Sequence, residues 1–286
     1  DRERLAELLG FNGLVLHTRD AMWQSDGPIE LMSAALAVLC NVDHLTEDLQ
    51  IWATSEFNFV ELSDSHSRSS VIMPQKKNPY SLAFVRGVAR EMIGRLAGTA
   101  ALQATPSGQV DNRIFTYSMV PRGLKHTKQA LKLLSETVSG LTVNKDEMSL
   151  ATVKSLGGST DLAEEIMTKY GIDAKTANSI VGRAVRSATQ MGKELEADLL
   201  NSAAKDIINR SLNMSDDIIE KIMNPKAIVA TRTGPGGSSS KSVQEMITTF
   251  RDLVYECNQW GRSEESRLKE AEKKLFEKVT ALCQCT

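Results

Sequence analysis

The sequence predicts an all-α protein, a long up-and-down helical bundle followed by a smaller α-helical C-terminal domain. Three observations lead there. Aromatic residues make up only 5% of the 286 residues while Leu, Ala, Ile, Val, Met, Glu and Lys are plentiful, and that composition favours helix over sheet. Apolar residues recur at steps of three and four over three stretches too long to be strands. Near Val143 the long stripes give way to shorter periodic segments separated by Gly, Asn, Asp and Ser, the residues that start and stop helices.

Residues 1–142 are expected to form the central bundle. Residues 1–27 read as a connector. From Pro28 the residues Met32, Leu36, Leu39, Val42, Leu45, Leu49 and Trp52 mark one face of a helix that is expected to run to about residue 58, roughly 45 Å at 1.5 Å per residue. His44, beside that stripe, reads as a packed or solvated histidine. Residues 59–77 form a loop in which Ser63, Asp64, Ser65, His66, Ser67, Arg68, Ser69 and Ser70 carry little apolar weight, so a mobile lid is expected. The Ser, His and Asp in it are sequence neighbours and no G-x-S-x-G elbow is present, which argues against a hydrolase triad.

Asn78 as N-cap and Pro79 at the first helical position predict a second long helix to about residue 104, with Leu82, Val85, Ala89, Met92 and Leu96 as its seam. Thr105-Pro106-Ser107-Gly108 breaks it. The third helix is expected to reach about residue 141 with Leu124, Thr127, Leu131, Leu134, Val138 and Leu141 inward and a bend at Pro121. Three such helices joined by loops make an up-and-down bundle the simplest arrangement.

Residues 143–240 are expected to form the smaller domain. Asn144 with Glu147 reads as a capping box, Gly157-Gly158-Ser159-Thr160 precedes a start at Asp161, and Asp173 caps a helix after the Gly171 break, with Ile180, Val181, Ala184 and Val185 inward. Gly234-Pro235-Gly236-Gly237-Ser238-Ser239-Ser240-Lys241-Ser242 looks like a phosphate-binding loop, but Ser240 stands where that motif requires glycine before the lysine. It reads instead as a turn before a C-terminal helix in residues 241–286, from Lys241 to about residue 280.

A net charge of −2 with scattered Lys and Arg gives no electrostatic case for nucleic acid. No apolar run approaches the roughly 18 to 20 residues that span a bilayer, and the opening Asp1-Arg2-Glu3-Arg4 is no secretory signal. Cys40, Cys257, Cys283 and Cys285 read as reduced thiols of a cytoplasmic protein. His17, His44, His66 and His126 are far apart in sequence and no His/Cys group has ligand spacing, so neither metal nor cofactor is expected.

The stretch Ser69-Ser70-Val71-Ile72-Met73-Pro74-Gln75-Lys76-Lys77-Asn78-Pro79 gathers hydroxyls, two ammonium groups and a helix start. Free N–H groups, the positive end of a helix dipole and the Lys76 and Lys77 charges all favour a bound carboxylate or phosphate. A capping turn with solvated lysines is the plainer alternative.

Ser70 through Asn78 resembles G-S-x-x-M-x-x-K-x-N, the signature of the fumarase/aspartase superfamily, and MPQKKNP is worded like the argininosuccinate lyases. Ser159-Thr160-Asp161-Leu162-Ala163, Ala177-Asn178-Ser179-Ile180-Val181-Gly182 and Val229-Ala230-Thr231-Arg232-Thr233-Gly234-Pro235-Gly236-Gly237 are similar to the small C-terminal domain of that family. The resemblance implies elimination across an N-substituted succinate to release fumarate, with Ser70 as the catalytic base and Lys76 beside it. Asn78, Met73 and Lys77 are then expected around the substrate, and Gln109 and Arg113 are candidates to hold its carboxylate or polar tail. It also implies a homotetramer whose sites are shared between subunits.

Several positions depart from the family pattern. Ser69 replaces glycine and Val71 a second serine; Ala83 stands where the family has a glutamate that orients its catalytic histidine; Gln109 to Tyr117 differs from the family's substrate-gripping stretch. The family's acid histidine lies in a Thr-His-x-Gln segment before the point matching Asp1, so the chain is expected to be part of a longer protein or to pair with another polypeptide. The leading expectation is an argininosuccinate-lyase-type enzyme. The alternatives are a related lyase on another N-succinyl amino compound and a non-catalytic relative of the delta-crystallin type.

Overall fold

The computed structural model describes residues 1–73, 76–104 and 111–284. The chain divides into two compact units, Asp1–Glu147 with Glu270–Thr286, and Met148–Lys269.

In the first unit the expected connector holds two short helices, α1 (Arg2–Leu8) and α2 (Thr18–Trp23), ahead of the long α3 (Asp26–Trp52). The Asp1 carboxylate accepts a hydrogen bond from the Arg4 N–H and starts α1. Pro28 sits inside the first turn of α3, and the helix stops at Trp52 instead of running to residue 58. Ala53 caps the end, its N–H donating to Leu49 O at 3.0 Å, and the chain turns again at Asn58. Asn58 adopts φ +49°, a left-handed conformation that Asn tolerates, and donates its N–H to Thr54 O at 2.7 Å.

After α3 come the strands β1 (Val60–Glu61), β2 (Arg68–Ser69) and β3 (Lys77–Asn78), then the helices α4 (Tyr80–Gln103) and α5 (Thr116–Ser139), and the strand β4 (Thr142–Val143). α3, α4 and α5 pack on one another around Met32, Leu39, Leu82, Val85, Met92, Ala130 and Leu134. Burying side chains of this size stabilises by about 1.5–3 kcal/mol each. The α4 seam lies where its spacing put it, with Leu82, Val85, Ala89 and Met92 buried. On α5 the buried face runs through Thr127, Ala130, Leu134 and Thr137, while Leu131 and Val138 are exposed. Small residues take the helix contact. A Cβ on Gly123 would lie 2.9 Å from Met32 Cε, so a side chain there would displace the flexible tip of Met32.

One expectation about membranes needs correcting. α3 is long and apolar enough to cross a bilayer, with a mean hydropathy of 1.3 over its best window. Its Met32, Ala35, Leu39 and Leu49 are nevertheless packed into the core with α4 and α5.

β1 pairs antiparallel with β4, Val60 opposite Val143 and Glu61 opposite Thr142. The Asn144 side chain donates to Asn58 O at 2.8 Å, which ties the segment after α3 to the strand after α5.

Helix α6 (Lys145–Lys154) leads into the second unit, which contains α7 (Ser159–Tyr170), α8 (Ala174–Met191), α9 (Ala197–Ile208), α10 (Asp216–Met223) and α11 (Pro225–Thr231). Its core is built from Leu162, Ile166, Ile180, Val181, Ala184 and Leu200. α7 begins at Ser159, ahead of the expected Asp161, and ends on Gly171 in the left-handed conformation. Asp173 then caps α8 by accepting from Thr176 N. The Asp216 carboxylate accepts from Ala197 N at 2.6 Å, joining the starts of α9 and α10. The last helix, α12 (Ser240–Gln284), begins one residue before the expected Lys241 and is longer than expected.

Candidate active site

The signature segment folds as a hairpin. β2 and β3 pair with Arg68 opposite Asn78 and Ser69 opposite Lys77, and the Ser70 N–H donates to Lys76 O at 3.1 Å, so the ladder continues to the foot of the tip. Asn78 is therefore a strand residue and not a helix cap. Pro79 is the last residue before α4, which starts at Tyr80. Ser69 occupies ordinary strand geometry, so serine in place of the signature's glycine brings no backbone strain at that position.

The chemistry of the hairpin centres on Ser70. Its Oγ accepts hydrogen bonds from the N–H groups of Met73 at 3.1 Å and Ile72 at 3.3 Å. Donors aimed at a hydroxyl oxygen favour its ionised form, which an isolated serine does not reach at neutral pH. Lys76 lies across the ladder from Ser70, is exposed, and makes no ion pair among the described residues. Asn78 is half-buried beside it and Met73 is exposed at the tip. Val71 and Ile72 are 101% and 89% exposed, so nothing in the described chain covers the tip.

Lys77 faces elsewhere. Successive strand residues point to opposite sides, and the Lys77 Nζ lies 2.8 Å from both Glu61 Oε1 and Asp64 Oδ1. Hydrogen bonds that Lys77 donates to Asp64 and Glu61 raise its pKa well above the ordinary lysine value, and the same contact holds Asp64 below the usual aspartate range. The base of the loop is also held elsewhere. Val60 and Leu62 are buried, Ser67 Oγ donates to Ser63 O at 2.8 Å, and the Arg68 guanidinium stacks over Tyr80 at 4.0 Å. These contacts hold the base of the segment expected to be a mobile lid. The Ser, His and Asp here do not form a relay, because Ser63 Oγ and Ser65 Oγ contact His66 Nδ1 while Asp64 turns to Lys77.

Arg113, expected to hold a carboxylate, is buried and donates to the backbone carbonyls of Met22 at 2.8 Å, Gln24 at 3.5 Å, and Trp23. It holds the end of α2 in place. Its guanidinium went to those carbonyls because a buried cation needs acceptors and a helix C-terminus supplies them. Gln109 lies outside the described residues. Among the described residues no three His, Cys, Asp or Glu side chains converge as a metal site. The residues that sequence reasoning passed over are Glu61, Asp64, Arg68 and Tyr80; for Glu61 and Asp64 the signal was charge complementarity to Lys77 at no fixed spacing, and for the Arg68–Tyr80 stack there was none.

A family model described as lyase matches residues 1–94. The argininosuccinate lyase of Methanoculleus marisnigri is 31% identical over 271 residues, 94% of this chain and 54% of that protein. The argininosuccinate lyase of Schizosaccharomyces pombe is 33% identical over 256 residues, 89% of this chain and 54% of that protein. Among solved structures, an EDDS lyase variant with bound fumarate matches at a TM-score of 0.91 and 27% identity, covering 99% of this chain and 57% of that one.

The chain is similar in sequence and in fold to lyases of the fumarase/aspartase superfamily. In this chain the signature residues stand on a hairpin between two long helices, and the chain spans about half the length of the curated relatives it matches.

Proposed function

We propose that the hairpin is the base side of a carbon–nitrogen lyase site that acts on an N-substituted succinate, with argininosuccinate, split to arginine and fumarate, as the substrate. The observation that carries this reading is Ser70 Oγ resting on two backbone N–H groups with Lys76 across the ladder. The proton to be removed sits on a carbon next to a carboxylate, and its loss builds a doubly charged aci-carboxylate. Such charge develops only where cations and N–H donors already wait for it. Lys76 and Asn78 fill that role for the carboxylate. Ser70, its oxygen already solvated by N–H groups, takes the proton once water is excluded.

The tip is open to solvent, and a site that must exclude water needs walls from another polypeptide segment. The family's acid histidine would arrive on the same segment. Exposed Phe250, Leu253 and Trp260 on α12 support further assembly, as a homotetramer in this reading. Its ligand is a small dicarboxylate-containing molecule, without nucleic acid or membrane as partner. The exposed Cys40 and Cys257 thiols suit a cytoplasmic enzyme of arginine biosynthesis.

A second reading, a related lyase on another N-succinyl amino compound, is favoured by the likeness to EDDS lyase and by the altered stretch from Gln109 to Tyr117. The intact protein carrying this sequence is given argininosuccinate, and the ultraviolet absorbance of fumarate is followed. Fumarate release supports the first reading. Silence with argininosuccinate but release from another succinyl amine selects the second, and silence with every succinyl amine selects a non-catalytic relative of the delta-crystallin type.

A further inference from the structure

We infer that Lys77 is a positioning residue, tethering the hairpin that presents Ser70 and Lys76 to Glu61 and Asp64, and that it does not bind the substrate carboxylate. The inference rests on the lyase reading for its consequence and on geometry for its substance.

The two neighbouring lysines of the signature have different surroundings. Lys76 makes no ion pair among the described residues, whereas Lys77 Nζ lies 2.8 Å from a carboxylate oxygen of Glu61 and 2.8 Å from one of Asp64. One cation against two carboxylates leaves that spot negative, so a dicarboxylate arriving there meets repulsion. The carboxylates also come from two anchored places. Glu61 is in β1, fixed by its pairing with β4. Asp64 starts the 3-10 turn Asp64–His66, which the Ser67 hydroxyl closes back onto Ser63 O.

A tether matters here because β2 and β3 are only two residues long each. Hairpins that short are marginal without further contacts. The Arg68 stack on Tyr80 holds the β2 side of the base and the Lys77 pairs hold the β3 side. Ser70 and Lys76 lie directly beyond, joined by the Ser70 N–H to Lys76 O bond. A shift of the base therefore moves the base and the carboxylate cation together.

The test compares Lys77→Met, Lys77→Arg, the Glu61→Gln/Asp64→Asn double variant and the combination of Lys77→Met with that double variant, all in the intact protein. Two quantities are read: hydrogen exchange of the Ser69 to Lys77 backbone amides, and steady-state fumarate release from argininosuccinate. Lys77→Met and the carboxylate double variant are each expected to speed exchange about fivefold, the scale of exposed ion pairs. Both lower kcat with little change in KM. Lys77→Arg restores exchange and kcat, because a guanidinium also spans two carboxylates. Combining Lys77→Met with the double variant adds nothing further.

The inference is overturned if the double variant leaves exchange unchanged. It is equally overturned if Lys77→Met raises KM while the double variant raises neither exchange nor KM, the pattern of a substrate ligand. Exchange is read without any substrate. A protein silent toward every succinyl amine thus defeats the lyase reading, while the tether is still judged by exchange.

Discussion

Arg86 on α4 reaches across to Asp43 on α3, with Nε 3.0 Å from Oδ1, and the second oxygen of the same carboxylate accepts from Arg90 Nη2 at 2.9 Å. The Arg86 guanidinium is further used by Glu47 at 2.7 Å and Gln50 at 2.9 Å. Three side chains around one guanidinium, Asp43, Glu47 and Gln50, fix the register of the two helices that flank the signature hairpin. Asp43 is 15% exposed, so its charge depends on those partners.

Burial opposes the ionised form of Asp43, and the hydrogen bonds from Arg90 and Arg86 outweigh it, so its pKa lies below the ordinary aspartate value. A carboxyl with a depressed folded pKa adds stability that is complete above its unfolded value and is lost as pH falls through the folded one. Melting temperature is therefore expected to drop on acidification below about pH 4, and part of that drop should vanish in Asp43→Asn. At neutral pH Asp43→Ala should cost about 2 kcal/mol, the scale of lost charge-assisted hydrogen bonds. Equal acid sensitivity of wild type and Asp43→Asn in a melting series would show that the pair contributes nothing.

Ser70→Ala removes the hydroxyl that the Ile72 and Met73 N–H groups address. Fumarate release should fall by at least about a hundredfold, the scale of a lost general base. The melting temperature should stay where it was, because the tip is open to water. Turnover assays beside a thermal melt decide it, and full activity in the variant removes Ser70 from the mechanism.

Arg113→Ala separates a structural role from substrate binding. Losing the hydrogen bonds to the carbonyls of Met22, Trp23 and Gln24 should destabilise by about 3 kcal/mol. KM for argininosuccinate should not change in the fraction that remains folded. Denaturant unfolding gives the first number and steady-state kinetics the second. A raised KM with unchanged stability would return Arg113 to the substrate.

Gly171 ends α7 at φ +64° and donates its N–H to Met167 O at 3.0 Å. Any side chain is strained in that conformation, so Gly171→Ala should lower stability by about 1 kcal/mol. Calorimetry on the full chain reads this directly, and an unchanged or raised melting temperature would contradict it.

The seam Leu82, Val85, Ala89 and Met92 and the stop and start at Gly171 and Asp173 were legible because each is a local matter. A helix repeats every 3.6 residues and caps act within one turn, so the chain writes them next to the element they govern. α5 was legible only in outline, since choosing Ala130 and Thr137 over Leu131 and Val138 for its inner face depends on how near α3 and α4 come.

The hairpin belongs to the other class. Strands of two residues leave no alternation to detect, and Asn78-Pro79 carries the chemistry of a helix start, so propensity pointed one way and pairing with Arg68 went the other. Lys77 found its carboxylates through β1 and the turn at Asp64, and Arg113 found its carbonyls 91 residues back along the chain, at Met22. Residue types and their order were enough for an all-α chain with an anion-seeking signature. Which of two adjacent lysines is left for the anion, and which cation is spent on the scaffold, depended on groups brought together from distant positions, because charge pairing acts through space and leaves no period in the sequence.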